Sequence, residues 1–156
     1  MNLFKVFSFN IQLVGVFGST IFDAVRQTLD GYQNSNFRTD ISPWTPTNTN
    51  TSDPRLGFAT DQGIANNNTY ASSRWLENGS YGRIRNLEIG YTLPKNLLKQ
   101  WNIDNARVFI SGQNLLTVTK YKGQDPDVEG NLTQPGFDNG GWPPSRVISL
   151  GINCGF

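Results

Sequence analysis

The chain contains no histidine and a single cysteine, Cys154, among 156 residues. The first absence removes the commonest general base and the commonest transition-metal ligand. The second removes any internal disulfide. Together they exclude a zinc site, a Ser-His-Asp triad and a Cys-His pair within this sequence, and nothing in it calls for a cofactor. Charge is sparse too. Only 16% of residues are charged, against roughly 25% in ordinary globular chains. Thirteen basic and twelve acidic side chains leave a formal charge of +1, which gives no electrostatic basis for binding nucleic acid or an anionic membrane surface. No apolar run approaches the ~18 residues of a transmembrane helix.

What the chain does have is glycine (16 residues), aromatics (12%) and polar stretches of Asn, Thr and Ser between apolar ones. This composition suits β-strands joined by long polar loops, and the length suits one ordinary domain. Apolar residues recur at every second position in four places. Phe7, Phe9, Ile11, Leu13, Gly15 and Phe17 share a face opposite Ser8, Asn10, Gln12 and then Val14 and Val16. Leu87, Ile89, Tyr91 and Leu93 share another, with Arg83 and Arg85 in the same phase. Ala106, Val108, Ile110 and Gly112 oppose Arg107, Phe109, Ser111 and Gln113, and the pattern blurs at Asn114–Leu116, as at a bulge. The closing stretch VISLGINCGF puts Ile148, Leu150, Ile152, Cys154 and Phe156 on one face and mostly small or polar residues on the other. Strands are therefore expected near 6–17, 81–93, 106–118 and 146–156, each long enough to cross a bilayer when tilted, which takes roughly 9–11 residues. The first twenty residues also carry an early lysine and a small-residue end, as a signal peptide does, but Ser8, Asn10 and Gln12 break the apolar body that a signal peptide needs.

The connections alternate in length. Residues 18–80 and 119–145 are long and polar, whereas 94–105 is short, opens on Pro94 and carries Leu97, Leu98 and Trp101 as an apolar stripe for one helical turn. Short turns at one end and long loops at the other characterise outer-membrane barrels, and a structureless loop of sixty residues is unusual in a compact domain. The second face of each strand is Ser, Asn, Gln, Gly and Thr, as for a wet lumen. Alternation of this kind also fits a half-buried antiparallel sheet, so a secreted or soluble carbohydrate-binding module of β type is the second reading.

Three stretches in order, NGSYGRIRNLEIGYTLPKNLL (78–98), ARVFISGQNLLTVTKYKGQDPDVEG (106–130) and PPSRVISLGINCGF (143–156), resemble the carboxyl-terminal end of the SusC/RagA family of TonB-dependent outer-membrane transporters of Bacteroidetes-type bacteria. FNIQLVGVFGSTIFDAVR (9–26) and the WTPTNTNTSDPRL loop extend the likeness upstream. The resemblance implies an all-β fold: an antiparallel meander of four long strands, the last part of a large transmembrane barrel, with long extracellular loops and one short helical periplasmic turn. Strand 81–93 is then expected to pair with both 6–17 and 106–118, and 106–118 with 146–156. A plugged barrel of this kind has about 22 strands, so the resemblance also implies that the plug and most of the barrel lie outside residues 1–156. It implies import of oligosaccharides or peptides with TonB-derived energy, an integral outer-membrane location with the carboxyl terminus on the periplasmic side, and five partners. These are the rest of the barrel and plug, a SusD-like surface lipoprotein, the TonB complex, the barrel-assembly machinery, which would read Phe156 as an end signal, and outer-membrane lipid.

Few residues suggest chemistry. Trp44, Tyr121 and Trp142 are loop aromatics and candidate ligand contacts, since sugars stack on aromatic faces; Tyr70, Trp75 and Tyr81 also lie in or beside the long loops, and girdle or loop packing is the plainer reading. Asp125, Asp127 and Glu129 have the spacing that opens an EF-hand loop, but position twelve is Gly136 where a bidentate Glu is required. Asn50, Asn67, Asn78 and Asn131 begin N-x-S/T triplets of no weight in an Asn-rich chain. Glu77 and Glu88 are the carboxylates a glycosidase reading would use, and nothing in their spacing joins them. Cys154 falls on the apolar face as a small filler.

Overall fold

The computed structural model describes residues 6–30, 39–56, 70–128, 130 and 133–156. Among the described residues seven strands run in chain order: β1 (Phe7–Val16), β2 (Thr20–Asp23), β3 (Leu76–Asn78), β4 (Tyr81–Thr92), β5 (Asn105–Thr119), β6 (Phe137–Asp138) and β7 (Val147–Gly155). They divide between two compact units.

The first unit is a four-stranded sheet of order β1-β4-β5-β7. Every neighbouring pair is antiparallel, with the pairings expected from the sequence. Register builds rows across the sheet. Phe9, Ile89, Ile110 and Leu150 stand side by side, as do Phe7, Tyr91, Val108 and Ile152. Because side chains alternate along a strand, these rows form one continuous apolar face, and its large side chains are exposed. The opposite face carries rows such as Asn10, Glu88, Ser111 and Ser149. β1 and β7 are the sheet's edges, each hydrogen-bonded on one side among the described residues.

The blurred stretch in the third strand is a bulge. Gln12 pairs with Asn86 and Leu13 with Ile84, so β4 has Arg85 to spare. Asn86 pairs with Gln113 and Ile84 with Leu116, so β5 has one residue more again, and Asn114 there takes φ 51°. Asn is among the residues that tolerate this left-handed conformation. Each extra residue reverses the alternation. This corrects the phase expected for Arg83. Beyond the bulge Ile84 joins the apolar face beside Leu13, and Arg83 turns to the polar face, where its Nε donates to Thr117 Oγ1 at 2.9 Å and its guanidinium lies 5.3 Å from the Tyr81 ring.

The short connection folds as expected into one helical turn at Lys95–Leu98 followed by a 3-10 turn at Lys99–Trp101, which ends on Asn102 at φ 52°. Of its apolar trio only Leu98 is buried; Leu97 and Trp101 face outward.

The second unit was not legible as structure in the sequence. β2, β3 and β6 form a small sheet of order β3-β2-β6, antiparallel between β2 and β3 and parallel between β2 and β6. Helix α1 (Ala24–Asp30) follows β2 directly. Ile21, Trp75 and Tyr121 are its buried apolar core, and Phe22 stacks on Phe137 with ring centroids 5.3 Å apart. The long connections therefore carry a hydrophobic core of their own.

Candidate functional site

On the polar face of the sheet, Arg107 is the central side chain. Its Nη2 donates to Glu88 Oε1 at 2.6 Å and to Ser8 Oγ at 2.8 Å, and its guanidinium lies 5.3 Å from the Phe109 ring. Gly90 and Gly151 make this arrangement fit. A Cβ on Gly90 would collide with the Arg107 guanidinium, and one on Gly151 with the Phe109 ring. Both side chains thus lie flat over glycine backbone. Further along, Asn86 donates to Gln12. The face is a hydrogen-bonded, wettable wall.

The second unit holds a buried polar cluster. Asp23 ends β2 and caps α1, accepting the Arg26 N–H at 2.8 Å, the usual role of an aspartate at a helix start. Arg26 reaches Asp30 through Nε at 3.1 Å and Glu77 through Nη1 at 2.5 Å, and its guanidinium carbon lies 5.9 Å from the centre of the Trp75 ring. Asp138, the register partner of Asp23, accepts the Tyr121 hydroxyl at 2.5 Å and the Gly140 N–H at 2.8 Å. Gly140 sits at φ 85°, a conformation open to glycine at no steric cost. Burial pushes the Asp23 carboxyl above its ordinary value, with Asp138 and Glu77 adding to the shift while the Arg26 N–H opposes it. Burial and the bond to Asp138 likewise raise the Tyr121 phenol.

The WTPTNTNTSDPRL stretch is knit by its own side chains. Asn48 Nδ2 donates to Ser42 Oγ at 2.9 Å and to the Pro43 carbonyl at 3.0 Å. Asp53 accepts the Ser42 N–H at 2.9 Å and an Arg74 guanidinium N–H at 3.3 Å. Short polar side chains that bond nearby backbone are what give such a loop one conformation.

The three candidate aromatics separate. Trp142 is 96% exposed and Trp44 38%. Tyr121 is 6% exposed and its hydroxyl is committed to Asp138, so it is a core side chain and not a ligand platform; that expectation is corrected. Trp75 and Tyr81 are buried as well, whereas Tyr70 is exposed. Asp125 accepts the Asp127 N–H at 2.8 Å, the local bond of a polar turn, while Glu129 lies outside the described residues, as do Asn67 and Asn131. Glu77 and Glu88 belong to different units and each is held by an arginine. Cys154 is exposed on the apolar face beside Ala106, and Phe156 is exposed. The cluster around Asp23 escaped sequence reading; its one signal is an aspartate directly before Ala-Val-Arg, a helix start.

No family model matches the chain. The TonB-dependent receptor P3 of Formosa agariphila is 36% identical over 123 residues, which are 74% of this chain and 12% of that protein. The TonB-dependent receptor SusC of Bacteroides thetaiotaomicron is 30% identical over 96 residues, 60% of this chain and 9% of that protein. Among solved structures, the RagAB peptide importer in its open-open state matches with a TM-score of 0.76 and 29% identity, over 96% of this chain and 16% of that one. The chain thus spans about an eighth of the length of the P3 receptor, and the four-stranded sheet has the architecture of the end of such a barrel.

Proposed function

The chain belongs to the SusC/RagA-type TonB-dependent receptors, and from that premise we propose that it forms the last four strands and two outer loops of an outer-membrane barrel that imports nutrients. The apolar face of β1, β4, β5 and β7 meets lipid; the face built around Arg107 lines the lumen. One observation carries this reading. Phe9, Ile89, Ile110 and Leu150 in one row and Phe7, Tyr91 and Ile152 in the next are large, apolar and exposed together, with Val108 half-buried between them. Contiguous apolar surface on this scale is a liability in water and a requirement in a bilayer.

In this reading the plug and the remaining strands belong to the same receptor outside residues 1–156, and they close the edges that β1 and β7 leave open. Unclosed edges do not survive in lipid. The cargo is an oligosaccharide or a peptide, the energy comes through TonB, and a SusD-like lipoprotein partners the outer loops. The carboxyl terminus faces the periplasm, and Phe156 serves the assembly machinery. Trp44 and Trp142 are the aromatics placed to touch cargo. Fractionation of the chain tests the reading. It is expected to leave the aqueous fraction and return only in detergent. A soluble monomer with a cooperative unfolding transition would overturn it in favour of the β binding module.

A further inference from the structure

Six glycines lie in the four long strands, and five of them make room for a side chain of the chain itself. An added Cβ would meet Phe17 at Gly15, Arg107 at Gly90, Leu115 at Gly112, Phe109 at Gly151 and Asn105 at Gly155. Gly82 differs, because a Cβ there meets nothing within 4 Å. A glycine inside a strand marks a bulge, a bend, or a place where a ligand or another backbone comes close. The spare residue of β4 is Arg85, three positions on, and no backbone of the described residues lies over Gly82. Among these roles, the approach of a ligand fits Gly82.

Gly82 is the floor of a trough of about 340 Å³ on the apolar face of the sheet. Its register partners are Gly15 on β1 and Val118 on β5, so a row that elsewhere carries large side chains carries only hydrogen at two of its places. Leu13, Ile84 and Leu116, the next row along, form one wall. The Phe17 ring, which lies against Gly15, rises beside the floor on the β1 side, and Val118 rises on the β5 side. We propose that this trough holds one hydrocarbon chain of an outer-leaflet lipid. The proposal rests on the lipid-facing reading of the sheet and adds to it a specific seat for one chain.

Position, chemistry and width select that occupant. The trough opens on the face that carries the rows of Phe9 and Phe7, so it is continuous with the surface that meets the bilayer. β1 and β5 leave this end of the sheet for the long connections, and long connections lie on the outer side of such barrels, which puts the trough at the level of the outer leaflet. The side chains that stand over it are Leu, Ile, Val and Phe, and Leu13, Phe17, Leu116 and Val118 are exposed. Arg83, beneath the floor, is directed to the polar face, where its Nε donates to Thr117. An emptied row leaves about 7 Å of strand without side chains. A single chain of methylene carbons fills such a gap when it sits about 3.5–4 Å from the carbons on either side.

The test uses a receptor in which this wall is closed. Residues 1–156 replace the homologous residues of the Bacteroides thetaiotaomicron SusC receptor, and the chimera is refolded into phosphatidylcholine vesicles in which a small fraction of the lipid carries a diazirine midway along one chain. After illumination, the sites of carbene insertion are mapped by mass spectrometry. Insertion at Leu13, Leu116 and Val118 is expected to exceed that at Leu150, on the same face, several-fold. Gly82→Leu fills the trough with its own side chain and should abolish the excess, whereas Gly82→Ala, with one methyl group, should lower it only in part. Insertion at Leu150 stays unchanged in both variants and reports that each is folded in the bilayer. Equal insertion in the parent, or an excess that survives Gly82→Leu, would overturn the proposal and leave the lipid-facing wall standing. Loss of insertion at Leu150 in the parent as well would overturn the wall itself. An excess that falls as receptors are packed more densely in the vesicle would overturn the proposal in favour of a second copy of the receptor in the trough.

Discussion

Leu150 and Ser149 are neighbours in β7 that point to opposite faces, and a charge placed on each should separate the two readings of the sheet. Leu150 ends the row of Phe9, Ile89 and Ile110, near the middle of the strand, and is 76% exposed. If that surface were wetted, Leu150→Arg would be an ordinary surface substitution worth within about 0.5 kcal/mol. If it meets lipid, an arginine near the midplane costs about 2–4 kcal/mol, or roughly 30- to 700-fold in the folding equilibrium. Ser149→Arg joins the row of Asn10, Glu88 and Ser111 on the wet side and should cost close to nothing. The assay grafts residues 1–156 in place of the homologous residues of the Bacteroides thetaiotaomicron SusC receptor, refolds the chimera into phospholipid vesicles and measures urea midpoints. Equal costs at the two positions, or a larger cost at Ser149, would refute the assignment of faces.

Three further outcomes are expected. Gly151→Ala puts a methyl group into the Phe109 ring and should cost about 1–3 kcal/mol by overpacking, whereas the Cβ of Gly82→Ala meets nothing within 4 Å and should be nearly neutral in the same denaturation assay. Trp75→Ala removes the largest fully buried side chain of the second unit and should destabilise that unit by about 3–5 kcal/mol, read by near-UV circular dichroism. The raised carboxyl of Asp23 gives a pH slope of unusual sign. Between the ordinary value of 3.8 and its raised value in the folded chain, the folded state holds the extra proton, so Asp23 contributes stability at the acid end of that window and loses it as pH rises. Asp23→Asn should remove this component from stability measured against pH, and a slope identical in the variant would contradict it.

The long strands were legible because each repeats one rule, apolar at every second place, and that rule sets both the faces and the pairing. It breaks where one extra residue enters: nothing in GRIRNLEIG says that Arg85 is the spare, so alternation alone places Arg83 on the wrong face. The second unit was illegible for a different reason. Its strands are two to four residues long, too short for any period, and its core joins Ile21, Trp75 and Tyr121 across up to a hundred residues of sequence. Tyr121 looked like an exposed loop aromatic because its partner, Asp138, lies beyond a glycine-rich stretch with no pattern. The polar cluster at Asp23 depends on the same distant pairings, with only the helix start at Asp23 readable locally.

The chain's single cysteine provides the most direct measurement of the central claim. Cys154 lies on the apolar face and Asn153 on the polar one. In the vesicle-embedded receptor chimera, freed of the host's own cysteines, a bimane label on Cys154 should be quenched by nitroxide-bearing lipid and shielded from aqueous iodide, and the label moved to Asn153→Cys in a Cys154→Ser background should show the reverse. Iodide quenching at Cys154 with no response to the nitroxide lipid would contradict the lipid-facing wall.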